Sequence, residues 1–117
     1  MTSKNTWKAL ERFFAEWFDS KRNPLSGRNN VDDQGQTRPG DVIYKHAIVE
    51  CKLRAKNAII ERAKETKTLA DQLQKPWIHL EALKGSRNII CIALPQEDAR
   101  ECVRFLRNKW EEEKKTI

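Results

Sequence analysis

The sequence contains no apolar run of the ~20 residues that a membrane-spanning helix requires. Its opening, Met1-Thr-Ser-Lys-Asn-Thr-Trp, lacks the charged-then-apolar pattern of a secretory signal. Cysteine is scarce: Cys51, Cys91 and Cys102 are an odd number, too widely spaced for a zinc set, and they read as small buried hydrophobes in a reducing compartment. Glycine and proline number four each, and no glycine-rich phosphate or dinucleotide motif is present. There is no internal repeat and no low-complexity segment. These absences argue against a membrane span, a disulfide scaffold, a zinc module and the common nucleotide-binding folds. The expectation is one cytoplasmic domain over residues 1–117.

What the chain has is charge. Twenty-three Lys and Arg against 17 Asp and Glu leave a net +6, which suits a polyanionic partner. Apolar periodicity predicts a helix over 3–19, with Trp7, Leu10, Phe14, Trp17 and Phe18 on one side. Glu11 falls inside that apolar arc and Glu16 points the opposite way. A carboxylate on a buried stripe is costly unless a cation or metal answers it. Residues 20–40 are rich in Gly, Pro, Asn, Asp and Ser and predict a loop, with one short strand near 23–25. Lys21, Arg22, Arg28 and Arg38 make that loop basic.

Short strands are expected at 41–45 and 47–53. A helix is expected over 56–74, with Ala58, Ile59, Ala63, Leu69, Ala70 and Leu73 inward, ended by Lys75-Pro76. Trp77 to Leu83 alternates with period two, a half-buried strand. After a turn at Lys84-Gly85-Ser86, residues 87–94 form a nearly all-apolar strand suited to a sheet centre. A last helix runs from Pro95 to about Glu113, and 111–117 is a charged tail. The fold class is α/β with a mixed sheet, in the order α-β-β-β-α-β-β-α.

The chemistry concentrates in Gly40-Asp41-Val-Ile-Tyr-Lys-His-Ala-Ile-Val-Glu50-Cys51-Lys52. On a strand, Glu50 and Lys52 share one face while Val49, Cys51 and Leu53 take the other. If the two runs pair antiparallel, Asp41 lies beside Glu50. Two carboxylates with an adjacent lysine suit a divalent cation and phosphate chemistry.

This pattern resembles the PD-(D/E)XK nuclease superfamily, with Asp41, Glu50 and Lys52 as its acidic, acidic and lysine positions. Gly40 stands where the motif has proline. Leu25-Ser26-Gly27-Arg28 sits where archaeal-type Holliday-junction resolvases carry a Ser-Gly element, and small phage and bacterial nucleases look similar. The resemblance implies a restriction-endonuclease-like core with helices flanking a central mixed sheet. It also implies Mg2+ or Mn2+ held by Asp41, Glu50 and the Cys51 backbone carbonyl. Lys52 would orient or deprotonate the attacking water, or neutralise the developing charge, and Glu11 would contribute from the first helix. Arg22, Ser26, Arg28 and Arg38 would contact DNA, and paired cuts would call for a homodimer. The implied activity is metal-dependent DNA cleavage, structure-selective in the manner of junction resolvases. A sequence-specific restriction or homing endonuclease and a non-catalytic nucleic-acid-binding module are the alternatives.

Overall fold

Thr6 begins the first helix: its side-chain oxygen accepts the Ala9 amide at 3.1 Å, answering one of the donors that every helix start leaves open. The computed structural model describes residues 6–24 and 40–115. Helix α1 spans Trp7–Glu16. It closes with Asp19 in the left-handed region (φ 50°), so that the Ser20 amide reaches the Ala15 carbonyl and the Asp19 amide that of Glu16. Helix α2 spans Ala58–Leu73, capped by Asn57 Oδ1 on the Ile60 amide at 3.2 Å. Its end repeats the same device, with Gln74 left-handed (φ 54°) and the Lys75 amide on the Ala70 carbonyl at 3.0 Å. Pro76 follows and prevents continuation.

Strands β1 (His79–Leu83) and β2 (Ser86–Ala93) pair antiparallel around Lys84-Gly85, with His79 opposite Ala93 and an irregularity between Ala82 and Leu83. Helix α3 spans Gln96–Lys115, and Glu97 and Asp98 in its first turn complement the positive end of the helix dipole. The described residues are thus mixed α+β, three helices and a two-stranded sheet. No helix among them is long and apolar enough to cross a membrane.

The chain gathers into two compact units, Met1–Leu53 with Cys102–Ile117, and Arg54–Glu101. In the first, Ala15, Trp17 and Val42 are buried, and Phe13, Phe14 and Trp17 stack edge to face with centroids 4.9–5.6 Å apart. The later part of α3 joins this unit through polar bonds. Arg107 donates to the Trp17 carbonyl at 3.1 Å and to Asp19 at 3.2 Å, answering the carbonyl end of α1, and the Tyr44 hydroxyl donates to Glu111 at 3.2 Å.

In the second unit Ala63 and Ala70 are buried on α2, as the helix phase predicts, but Leu69 and Leu73 are each 57% exposed. The small residues of the stripe make the close approach and the larger ones flank it. Strand β2 also differs from expectation. Among the described residues it has one neighbouring strand instead of two, and Ile89, Ile90 and Ile92 are exposed, as is Cys91. All three cysteines are free thiols.

The expected strands at 41–45 and 47–53 do not form a ladder. Val42 makes a single antiparallel bridge to Arg22, flanked by Asn23 N–H to Asp41 C=O at 2.8 Å and Ile43 N–H to Lys21 C=O at 3.0 Å. On its other side Asp41 N–H donates to Val49 C=O at 2.6 Å. The next amide, that of Cys51, is taken by the Asp41 side chain, and such a side-chain bond competes with a backbone ladder. Of the short strand expected near 23–25, Asn23 and Pro24 are not in a strand and residue 25 lies outside the described residues; the bridge falls at Arg22 instead.

Within the second unit one polar chain links α2 to β1. Glu81 accepts from both Nε and Nη2 of Arg62 and lies 2.6 Å from His79 Nε2, while His79 Nδ1 is 3.1 Å from Thr66 Oγ1. The Arg62 bonds first, then His79, pull the Glu81 carboxyl down to about 2. A depressed carboxylate stabilises the fold above its ordinary value of 4.5, and that contribution disappears as pH falls through about 2. Glu81→Gln should therefore lower the melting temperature near neutral pH. It should also flatten the acid fall of melting temperature between those two values, which circular-dichroism melts across pH measure directly.

Candidate active site

Gly40 sets the geometry. Its φ of +89° is closed to proline, whose ring fixes φ near −65°, which accounts for glycine at this position of the motif. A Cβ here would also lie 3.0 Å from the Val49 carbonyl oxygen and 3.1 Å from the Val49 nitrogen, both backbone atoms. Gly40→Ala should cost roughly 1–3 kcal/mol of stability. Because the strain would fall on the Asp41–Val49 bond, activity should drop beyond what the unfolded fraction explains. Denaturant titration alongside an activity assay separates the two effects.

Asp41, 9% exposed, is fixed at both its backbone and its side chain. Its carbonyl accepts from Asn23, its amide donates to Val49, and its Oδ2 accepts the Cys51 amide at 2.6 Å. Asn23 is the residue that sequence reasoning missed. Only 1% exposed, it donates from Nδ2 to the Gly40 carbonyl at 3.0 Å as well as from its backbone to Asp41. An Asn-Pro pair in a polar loop signals a turn, and nothing local marks it as a buried clamp.

Glu50 and Lys52 are exposed and Val49 and Cys51 half-buried, as the expected alternation has it, but Leu53, expected on the same face as Val49 and Cys51, is 40% exposed. Desolvation, then the charge of Asp41 and a side-chain hydrogen bond with it, raise the Glu50 carboxyl above its ordinary value; Lys52 opposes the shift and Glu11 adds to it. Glu11, Asp41, Glu50 and Lys52 thus share one electrostatic neighbourhood. The Cys51 thiol is pushed up to about 11 by desolvation and then by Asp41, Glu11 and Glu50, so it is protonated at neutral pH and no nucleophile.

Glu11 is 4% exposed and Glu16 is exposed, the phase the helix pattern predicts. Arg22 Nε donates to Glu11 Oε1 at 3.0 Å, and the Arg22 guanidinium lies 5.4 Å from the Trp7 ring centroid. Arg22, expected on DNA, is here engaged with the first helix. Ser26, Arg28 and Arg38 lie outside the described residues. Beside Arg22 opens a cavity of about 500 Å3 whose walls include Arg12, Ser20, Lys21 and Ile43. Arg12 and Lys21 line it together with Glu16, and among the described residues neither cation has an ion-pair partner. Arg12 went unmarked in the sequence because it lies off the apolar stripe, like any solvated helix arginine.

The resemblance implies a divalent metal, and the donor chemistry tests the fit. Among the described residues no group of three or more His, Cys, Asp and Glu is arranged to hold an ion. Mg2+, however, is usually held by one or two carboxylates completed by water and substrate phosphate. Asp41 and Glu50 supply that pair; desolvation first and then the charge of Asp41 raise the Glu50 carboxyl, and a dication would offset both. The donors fit. Compared with known proteins, the chain matches no family model, no curated protein and no solved structure.

Proposed function

We propose that the chain is a Mg2+-dependent DNA endonuclease of the PD-(D/E)XK kind, selective for branched DNA and active as a homodimer. Supporting this is the meeting of Asp41 and Glu50 beside Lys52, with Asp41 immobilised and Glu50 strained by its charge. In this reading the segments around Arg22, Val42 and Glu50 are the site-bearing part of a restriction-endonuclease-like core. Asp41 and Glu50 would hold the metal, which would supply Lewis-acid stabilisation of charge developing on the phosphate.

The protein's own groups do the rest. Asp41, held by the Cys51 amide, provides a fixed carboxylate, and Glu50 provides a solvent-facing one. Lys52, exposed beside Glu50, orients the attacking water or offsets charge at the scissile phosphate. Arg12 and Lys21 offer phosphate contacts, and Ser26, Arg28 and Arg38, which lie outside the described residues, are assigned to DNA by the resemblance alone. The basic balance of +6 favours the polyanion throughout.

A cleavage panel of four-way junction, flap, plain duplex and single strand, each with Mg2+ and with EDTA, tests the reading. Paired cuts in the junction, lost in EDTA, are expected. Efficient cutting of one duplex sequence would replace the resolvase reading with a restriction or homing one. Binding without cleavage of any substrate would leave a non-catalytic module.

A further inference from the structure

The second unit holds a cavity of about 330 Å3, near the lower end of the ~300–1,000 Å3 typical of ligand pockets. Ile60 and Ala63 of α2 and Leu94 beyond β2 line it, and Trp77 forms part of its wall. Lys64 and Lys67, one helical turn apart, also line it. Gln96, the first residue of α3, adds a polar side chain. The lining contains no carboxylate.

Trp77 distinguishes this cavity from an ordinary packing gap. Trp7 has cationic neighbours, and Trp17 and Trp110 have aromatic ones. Among the described residues the half-buried ring of Trp77 has neither. A large indole face left unstacked beside two lysines has the composition of a base-stacking platform, in which an aromatic ring takes the base and cations take the phosphates. Among the described residues Lys64 and Lys67 are engaged only by exposed neighbours on their own helix, Glu61 at 3.3 Å and Asp71 at 2.7 Å. Solvent-exposed pairs of this kind are weak, and a phosphate can displace them.

We propose that this cavity binds an unpaired base of a single-stranded nucleic-acid segment. The base stacks on Trp77, the amide of Gln96 meets its polar edge, and Lys64 and Lys67 hold the adjoining phosphates. A base inside an intact duplex has both faces covered by its neighbours and cannot enter, so the site discriminates strand state. The residues involved lie wholly within Arg54–Glu101 and stand independently of the nuclease reading.

The test measures binding of the full chain, in EDTA so that nothing is cut, to a labelled single-stranded deoxyoligonucleotide, to its duplex and to a deoxymononucleotide. Trp77→Leu should weaken single-strand binding roughly tenfold, the scale of removing one base stack. Duplex affinity should be unchanged. Trp77→Phe, which keeps a stacking face, should retain most of the affinity. The surface double variant Lys64→Gln/Lys67→Gln should lower the slope of log affinity against log salt by about 0.7 for each phosphate no longer neutralised. If Trp77→Leu unfolds the chain, as circular dichroism would reveal, the Phe and lysine variants decide the matter. Equal weakening on single strand and duplex, or none on either, overturns the proposal. Mononucleotide binding as tight as the oligonucleotide's would make this a free-nucleotide pocket and overturn it as well. Absence of cleavage on every substrate would sink the nuclease reading and leave this result untouched.

Discussion

Glu50→Gln is expected to reduce Mg2+-dependent cleavage by about 10^3-fold or more while DNA binding survives. Loss of metal-assisted charge stabilisation costs several kcal/mol in the transition state, and each ~1.4 kcal/mol is tenfold in rate. Binding should persist because the change removes a negative charge from a basic protein and leaves Arg12, Lys21 and Lys52 in place. It should also leave the fold intact: Glu50 is exposed and its nearest carboxylate repels it, so the amide relieves a conflict. Cleavage rates and binding isotherms on one junction substrate give the answer. Wild-type cleavage by the variant would remove Glu50 from the site. Joint loss of binding and cleavage would mean that Glu50 holds the fold rather than the metal.

How much of this arrangement the sequence revealed depends on the range of the interactions. Helices α1, α2 and α3 were legible because their signals are local: a Pro76 stop and apolar residues at helical spacing. The β1–β2 hairpin was legible through Lys84-Gly85 and the alternation before it. The apolar run in β2 suggests a buried central strand, yet the number of its neighbours is decided by distant segments, and periodicity carries no record of them. At 41–53 the pattern identified Asp41, Glu50 and Lys52. It could not anticipate that the Asp41 carboxylate would take the Cys51 amide in place of a ladder bond. Gly40 invited the motif's proline by comparison, and only its φ of +89° shows why glycine is required. Asn23, inside a loop of turn formers, gave no signal of burial.

Glu11 shows how one partner reverses an expectation. A carboxylate on an apolar stripe, taken alone, suggests that Glu11→Gln would stabilise the protein by removing a buried charge. The structure supplies Arg22 at 3.0 Å, with side-chain exposures of 18% for Arg22 and 5% for Glu11. Breaking such a pair from one side strands the other charge, at a cost of roughly 3 kcal/mol, the low end of the range for buried pairs because Arg22 keeps some exposure to water. Glu11→Gln should therefore destabilise the protein, and Arg22→Gln, which leaves Glu11 its other interaction, should cost less. The double change should cost less than the sum of the two singles, a coupling that denaturant titrations measure. Activity should follow a different order. Glu11 lies within electrostatic reach of Glu50, so Glu11→Gln alters the charge at the site and frees Arg22, which anchors the segment paired with Val42. A large loss of cleavage is expected there, and Glu16→Gln, on the exposed side of α1, should match wild type. Should the double variant regain stability but not cleavage, Glu11 acts on the chemistry itself. Recovery of both together would make the Glu11–Arg22 pair a brace for Val42 and Asp41, and the catalytic carboxylates would be Asp41 and Glu50 alone.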